Sequence, residues 1–291
     1  MLYCRGLSKF NKILGINFRI KLRPKHYKKV GVIFGLKDGI GNRLFGLMNV
    51  LNFFTPDEID IFWDNKDWVT AKFYELFDVN FKTKINEYND IESFNIATKE
   101  SDLIIEKPDV CLKTLNLKSL GLKYNKINNN VFLQYQKKFQ FLNPRPEIAE
   151  KIEQNTPKND FVAIQVRNSS DWEDFGRNED LNLFVSAMNG LTNIKTIYLS
   201  SMNKNISDEL KVKYKGQGEI VELKNKNYKS MQDAVCDLYI MAKAKKAIYS
   251  FGSTFGELAF WLRKDMQDVT IVGNQKKWIN KKHLKKQFDK D

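Results

Sequence analysis

Residues 230–262 read SMQDAVCDLYIMAKAKKAIYSFGSTFGELAFWL and predict a helix, a strand and a second helix in direct succession. The first helix covers 230–244, where apolar side chains recur at helical spacing, and the strand covers the apolar run 246–252. The second helix begins at Ser253 or Thr254, either of which is a favourable N-cap residue. A strand that passes through a glycine straight into a helix is typical of an α/β unit.

The same alternation extends through the second half of the chain. Further strands are predicted at 160–167, 195–201, 219–224 and 268–273, and further helices at 178–191 and 205–212. Alternating strands and helices of this kind form a parallel sheet with helices on both faces. Since ligands of such sheets bind beyond the carboxyl ends of the strands, the polar residues that follow these strands are the candidate site residues.

The first half of the chain opens with another α/β unit. The strand pattern KVGVIFGL covers 29–36, a glycine turn follows at 38–41, and a helix is expected from Asn42 onward. Three more strands are predicted after this helix, at 58–64, 102–106 and 131–135.

Composition divides the chain into four parts. The stretch 143–160 contains prolines and a short charged helix, and it predicts a linker between two halves. The expected parts are a basic amphipathic segment at 1–28, an α/β domain at 29–145, a second α/β domain at 146–275 and a basic tail at 276–291.

The net charge of +13 is concentrated at the two ends of the chain. Residues 1–30 carry nine Lys or Arg and no acid, and residues 276–291 contribute +5, so residues 31–275 contribute only −1. A nucleic-acid-binding protein more often carries its basic face on the folded body, so no nucleic acid partner is expected. The basic ends suit an anionic membrane surface, and the helical pattern at 2–20 fits either such a surface or packing on the protein body.

Cysteine, histidine and hydropathy patterns exclude several classes of protein. The three cysteines are far apart and form no CxxC pair, which argues against a disulfide framework or a zinc site. Both histidines of the chain lie in the basic end segments. A histidine-containing catalytic triad or a histidine metal site is therefore not expected. Because no membrane-spanning apolar run and no signal-peptide pattern occurs, a cytoplasmic protein, peripheral at most to a membrane, is expected.

The turn after the first strand carries the first group of candidate site residues. Gly39 and Gly41 allow a ligand to approach the backbone, and the helix that follows presents N–H groups to an anion. Asn42 offers a hydrogen bond and Arg43 a positive charge. A turn that serves only packing is the alternative.

The end of the strand at 160–167 carries the second group. Arg167 follows an apolar run, and its planar guanidinium suits two phosphate oxygens at once, although a structural ion pair is the alternative. The acids Asp171, Glu173 and Asp174 come next. Each could act as a general base for an acceptor hydroxyl or simply be solvated.

The start of the helix at 253 carries the third group. Ser253 and Thr254 could cap this helix, hold a phosphate at its N-terminus, or do both. No acidic cluster of the kind that binds Mg²⁺ is recognised, so no metal is expected. Arginine and helix N-termini would then have to offset the charge of a bound diphosphate.

Taken together, these segments resemble motifs of the fucosyltransferase superfamily, which includes plant cell-wall, nodulation, α1,6- and protein O-fucosyltransferases. GIGNRLFGLMNVL resembles its N-terminal G-x-G-N-R/Q motif, AIQVR its H-x-R motif in the Q-x-R form, and DLYIMAKAKKAIYSFGSTFGELAFWL its D-L…S-T-F motif. The chain departs from the superfamily pattern at Gln165, where His is commoner, and at Asn168, where several members have a second Arg. Ser170 stands in place of an aspartate, with Asp171 one position later.

The resemblance implies a GT-B fold, an α/β architecture of two Rossmann-like domains with a cleft between them, the first for the acceptor and the second for the nucleotide sugar. It implies inverting transfer of fucose from GDP-fucose to a glycan, with no metal or other cofactor. The predicted catalytic residues are Asn42, Arg167 and, as candidate bases from the acidic loop, Glu173 and Asp174; the predicted donor contacts are Gly39, Gly41, Arg43, Gln165, Asp237, Ser253, Thr254 and Phe255.

Three alternatives stay open on the residues alone. The first is a glycosyltransferase that uses another nucleotide sugar, because the motifs indicate a diphosphate site more specifically than they indicate which sugar or base is bound. The second is a non-catalytic nucleotide- or glycan-binding protein on the same scaffold. The third is a polyanion-binding protein that depends on the basic ends, which the near-neutral body disfavours.

Overall fold

The structure is a computed structural model that describes residues 26–35, 38–66, 68–106, 108, 136–167, 180–265 and 267–273. The basic helix predicted at 2–20, the strand predicted at 131–135 and the basic tail lie outside the described residues. The chain forms two compact units, and the described residues up to 146 belong to the first and those from 147 onward to the second.

The first unit is built on a four-stranded parallel sheet. Its elements are β1 (Lys29–Ile33), α1 (Ile40–Phe53), β2 (Glu58–Phe62), α2 (Phe73–Leu76), β3 (Phe77–Val79), β4 (Lys84–Tyr88), α3 (Ile91–Ala97), β5 (Leu103–Glu106) and β6 (Leu142–Pro144). The sheet has the strand order β4-β2-β1-β5 with parallel neighbours throughout, and β3 pairs with β6 in a small antiparallel ladder. This order corresponds to the first four strands of a Rossmann sheet.

Both faces of β1 are covered, as a central parallel strand requires. Val30 and Val32 are fully buried on one face. Gly31 points to the other face, where a Cβ atom would lie only 2.9 Å from Cγ2 of Thr98 and 3.4 Å from the ring of Phe94. The missing side chain at Gly31 therefore lets the end of α3 pack directly on the sheet.

The second unit contains a five-stranded parallel sheet. Its elements are α4 (Pro146–Asn155), β7 (Phe161–Val166), α5 (Leu181–Asn189), β8 (Thr196–Ser201), α6 (Lys204–Lys213), β9 (Glu219–Val221), α7 (Met231–Lys243), β10 (Lys246–Ser250), α8 (Thr254–Leu262) and β11 (Asp268–Val272). The strand order is β11-β10-β7-β8-β9, and all four neighbouring pairs are parallel. The alternation predicted from the sequence is therefore present, with the strands at 219–224 and 246–252 shorter than expected.

The central strand of this sheet is β7, whose six residues are all buried. Val162, Ile164 and Val166 face a hydrophobic cluster that includes Phe184 of α5 and Leu210 of α6. The chain runs from β7 outward to β8 and β9 in one direction and returns through β10 and β11 in the other. The boundary between β7 and β10 is thus the switch point at which ligands of such sheets bind.

The stretch 143–160 holds the end of β6 and the helix α4, which is the short charged helix expected from the sequence, and the boundary between the two units falls within it. Five elements of the first unit were not predicted: α2, β3, β4, α3 and β6. Within the part of the chain that the structure describes, no helix is long and apolar enough to cross a membrane.

Candidate functional site

A hydrogen-bonded clamp joins the two strands at the switch point of the second unit. The backbone N–H of Arg167, directly after β7, donates to Oγ of Ser250 at 2.7 Å. The Ser250 hydroxyl donates in turn to the carbonyl oxygen of Gln165 at 3.2 Å. Ser250 ends β10 and is only 2% exposed, so its side chain fixes the point at which the chain leaves β7.

The turn from β10 into α8 is closed by backbone hydrogen bonds. The N–H of Phe251 donates to Val272 of β11 at 2.8 Å, and the N–H of Ser253 donates to the carbonyl oxygen of Ser250 at 3.2 Å. Gly252 between them has φ of 73°, a left-handed conformation that favours glycine. The turn therefore has one defined geometry, and it places the start of α8 beside the end of β7.

The N-terminus of α8 is capped in a way that leaves two donors unused. Ser253 is the N-cap residue, and its hydroxyl accepts the N–H of Gly256 at 3.5 Å while its carbonyl accepts the N–H of Glu257. Within the described residues, the N–H groups of Thr254 and Phe255 donate no hydrogen bond. Both residues are half-buried, so the helix start presents two N–H groups and its positive dipole end to an anion.

Gln165 lies beneath this helix start. Its side chain is 3% exposed, and its Oε1 atom has no hydrogen-bond partner among the described residues. A Cβ atom on Gly256 would lie 3.2 Å from that oxygen and 2.8 Å from the Cγ atom of Tyr249. Glycine at 256 is thus required for α8 to sit this close to β7 and β10.

Arg167 is half-buried at the end of β7, where the sequence predicts it. The clamp to Ser250 brings its backbone next to the turn that carries Ser253, Thr254 and Phe255. Together with Gln165, four of the predicted donor contacts and the predicted arginine thus lie at one switch point. The predicted bases Glu173 and Asp174, and the neighbouring Asp171, lie outside the described residues.

Asp237 of α7, another predicted donor contact, is engaged within the second unit. Its Oδ1 atom accepts the hydroxyl of Tyr198 at 2.6 Å, and its Oδ2 atom accepts the hydroxyl of Ser200 at 2.8 Å. Lys226 places its Nζ atom 2.6 Å from the same Oδ2 atom. These bonds join α7 to β8, and together with desolvation the carboxylate raises the pKa of Tyr198. A direct contact between Asp237 and a ligand stays a prediction.

The glycine turn of the first unit is held by Arg43. This side chain is 1% exposed; its Nε atom donates to the carbonyl of Asp38 at 2.9 Å and its Nη1 atom to the carbonyl of Asp64. The guanidinium also lies 5.1 Å from the ring centroid of Trp63, and burial lowers its pKa. Arg43 therefore ties the turn to the end of β2, and a ligand contact of its own stays a prediction.

The other predicted residues of this turn are half-buried or buried. Asn42 is half-buried in the first turn of α1, and its side chain makes no hydrogen bond within the described residues. Gly39 has φ of −67°, and a Cβ atom there would meet no atom within 4 Å. Gly39 is the N-cap residue of α1, and the close approach of a ligand to its backbone stays a prediction. Gly41 lies buried beside Asn42 in α1.

Among residues 26–273 as far as they are described, no three His, Cys, Asp or Glu side chains come together in a group that could hold a metal ion.

No protein-family profile and no curated protein sequence matches the chain. Solved structures do match. POFUT1 in complex with GDP-fucose is 12% identical with a TM-score of 0.55, covering 84% of this chain and 98% of that chain. NodZ α-1,6-fucosyltransferase co-crystallized with GDP is 14% identical with a TM-score of 0.52, covering 81% and 93%. The fucosyltransferase NodZ from Bradyrhizobium gives the same four values.

These matches define the class of fold. The chain has the GT-B fold of fucosyltransferase structures, with parallel sheets in each of its two units, as the sequence motifs predict. At 12% to 14% identity the shared property is the fold, and the activity has to be argued from the residues of this chain.

Proposed function

We propose that this protein is a glycosyltransferase that moves fucose from GDP-fucose to a hydroxyl group of a glycan, with inversion and without a metal ion. The observation that carries the proposal is the clamp between Arg167 and Ser250, which sets an arginine beside the N-terminus of α8. Support also comes from the fold, which the chain shares with fucosyltransferase structures solved with GDP or GDP-fucose.

The donor diphosphate is assigned to the switch point of the second unit. Its oxygens would accept the N–H groups of Thr254 and Phe255, whose hydrogen-bonding capacity is unused within the described residues. The guanidinium of Arg167 would bind the same diphosphate through its planar pair of N–H groups. An arginine and a helix N-terminus together supply the positive potential that a metal ion supplies elsewhere.

The proposed reaction is a direct displacement at the anomeric carbon of the sugar. The acceptor oxygen forms a bond to this carbon while the bond to the diphosphate oxygen breaks, and GDP leaves with the bonding electrons. Arg167 and the α8 N-terminus stabilise the negative charge that develops on the leaving diphosphate. The acceptor proton passes to a carboxylate, for which Glu173 and Asp174 are the predicted candidates.

Asn42 and the two basic end segments are assigned to the acceptor and to a membrane surface, respectively. Asn42 has an unengaged, half-buried amide, which suits a hydrogen bond to a sugar hydroxyl. The nine basic residues within 1–30 and the seven lysines within 276–291 suit attachment to an anionic membrane surface. Sedimentation with vesicles that contain 30% phosphatidylserine, in roughly 0.1 M and 0.5 M salt, tests this attachment, which high salt should abolish.

The donor site is tested by calorimetric titration with GDP and GDP-fucose in the presence of EDTA. The parent protein should bind both, and Arg167→Ala should weaken binding by about 10- to 100-fold because a charge-assisted, bidentate contact is lost. Arg145→Ala is the matched control, since this arginine pairs with Asp78 in the first unit and should leave binding unchanged. Preference for a uridine or cytidine diphosphate would reject GDP-fucose as the donor. If the protein binds no nucleotide at all, the proposal that it is a glycosyltransferase is rejected.

A further inference from the structure

We infer that Ser250 is a positioning residue for the donor diphosphate, an inference that rests on the proposed function of Arg167. Ser250 occupies the last position of β10 and is almost completely buried. It therefore acts on a ligand only through other residues. Its contacts reach both halves of the proposed diphosphate site.

The hydroxyl of Ser250 takes the place of a backbone partner for β7. The regular pairing of β10 with β7 ends at Tyr249 and Gln165, whereas its pairing with β11 continues to Ser250 and Val272. One residue beyond, the Ser250 hydroxyl accepts the N–H of Arg167 and donates to the carbonyl of Gln165. This pair of bonds fixes the backbone at Arg167 and so the direction in which its side chain leaves the sheet.

The carbonyl group of Ser250 fixes the other half of the site. It accepts the N–H of Ser253, the N-cap residue of α8, at 3.2 Å. The two N–H groups assigned to the diphosphate follow directly, at Thr254 and Phe255. One buried residue thus holds the arginine and the helix N-terminus at a fixed separation, which is the pre-organisation that a tight anion site needs.

A double-mutant cycle on GDP binding tests this inference. Ser250→Ala should weaken GDP binding by about 10-fold, because Arg167 is no longer held toward the diphosphate. In the Arg167→Ala background the same substitution should have an effect of less than about 2-fold, since the side chain that Ser250 positions is absent. Equal effects in both backgrounds would overturn the inference.

Two further variants separate positioning from packing. Ser250→Cys fills the same space but provides a poor hydrogen-bond acceptor, so it should bind GDP as weakly as Ser250→Ala. If Ser250→Cys binds like the parent, the hydroxyl serves only to fill space and the inference is wrong. Ser207→Ala, which removes another buried serine hydroxyl of the second unit, is the control and should retain parental GDP binding.

The outcomes also distinguish this inference from the proposed function. If the parent protein binds no nucleoside diphosphate, the proposed function fails. If the parent binds GDP and Arg167→Ala weakens binding, but Ser250→Ala and Arg167→Ala are additive, only the positioning role fails. Should Ser250→Ala not fold, hydrogen exchange at the amide of Arg167 in Ser250→Cys replaces it; unchanged protection would then contradict the role of the hydroxyl.

Discussion

Lys226 and Asp237 form a buried ion pair within the second unit, with Nζ and Oδ2 separated by 2.6 Å and side-chain exposures of 7% and 3%. The ammonium group also donates to the carbonyl of Ser201 at 2.9 Å and lies 4.7 Å from the ring centroid of Tyr228. The pair connects the segment after β9 to α7 and to the carboxyl end of β8. The sequence alone did not reveal this connection.

Removal of either charge from this pair should destabilise the protein. Lys226→Met leaves the buried Asp237 carboxylate without its cation, and we expect the free energy of unfolding to fall by about 3–5 kcal/mol. The measurement is urea denaturation followed by circular dichroism. Lys245→Met is the control, because its ion pair with Asp160 is exposed and its loss should change stability little. Equal effects of the two substitutions would contradict a structural role for the buried pair.

Asn42 and Arg43 are neighbours in sequence, but we expect only the substitution of Arg43 to lower the stability of the protein. Arg43→Ala removes a buried guanidinium with two backbone hydrogen bonds and a contact to Trp63, so the free energy of unfolding should fall by about 3 kcal/mol. Asn42→Ala removes an amide that makes no hydrogen bond within the described residues, so stability should change by less than about 0.5 kcal/mol.

The activity of these two variants completes the comparison. If Asn42 binds substrate as proposed, Asn42→Ala should reduce the transfer rate by about 100-fold while the melting temperature stays unchanged. The rate is measured as GDP release from GDP-fucose in the presence of a glycan acceptor. A fully active Asn42→Ala variant would remove this residue from the proposed site.

The second unit could be predicted almost completely because its local signals agree with one another. Its central strands are apolar runs, and helices begin at polar N-cap residues such as Asp180, Asn203, Ser230 and Ser253. The strand β4 was missed because its sequence, KINEY, is largely polar and has no clear apolar alternation; only Ile85 of it is buried. Its position at the edge of the sheet, beside β2 only, explains why so polar a strand is tolerated.

The candidate site could be predicted only in part, for a different reason. Arg167, Ser253 and Thr254 are visible in the sequence because each directly follows a strand or begins a helix. The role of Ser250 is not visible, because its partner Arg167 is 83 residues away and becomes a neighbour only through the strand order β10-β7-β8. Lys226 was missed in the same way, since its contact with Asp237 depends on tertiary packing. A polar residue at the end of an apolar strand is the signal that could have drawn attention to Ser250.

Gly256 should be intolerant of even one added methyl group. In Gly256→Ala the new Cβ atom would lie 2.8 Å from Cγ of Tyr249, a buried ring that cannot move freely, so α8 must shift. We expect a loss of about 1–3 kcal/mol in the free energy of unfolding and weaker GDP binding, because α8 carries the proposed phosphate contacts. Gly190→Ala is the control, since its new contacts would be an ordinary 3.5 Å and its φ is −75°. Parental GDP binding by Gly256→Ala would contradict the proposed position of the diphosphate.

Cys236 on α7 gives the protein a predictable sensitivity to high pH. Burial raises the pKa of its thiol from 9.0 to about 12. Below pH 9 the thiol is protonated in both the folded and the unfolded chain and contributes no pH dependence. Above pH 9 the unfolded chain loses this proton and the folded chain keeps it, so stability is lost as the pH rises toward 12.

The expected size of this effect allows a direct test. Between pH 9.5 and 11, the thiol should lower the free energy of unfolding by roughly 1.4 kcal/mol per pH unit. Buried Tyr198 and Tyr249 have raised pKa values as well and add a decline of the same sign, so the parent protein is compared with Cys236→Ala, which keeps both tyrosines. Denaturation in urea at several pH values should give a shallower decline for Cys236→Ala. Identical slopes for the two proteins would show that the thiol ionises as readily in the folded chain as in the unfolded one.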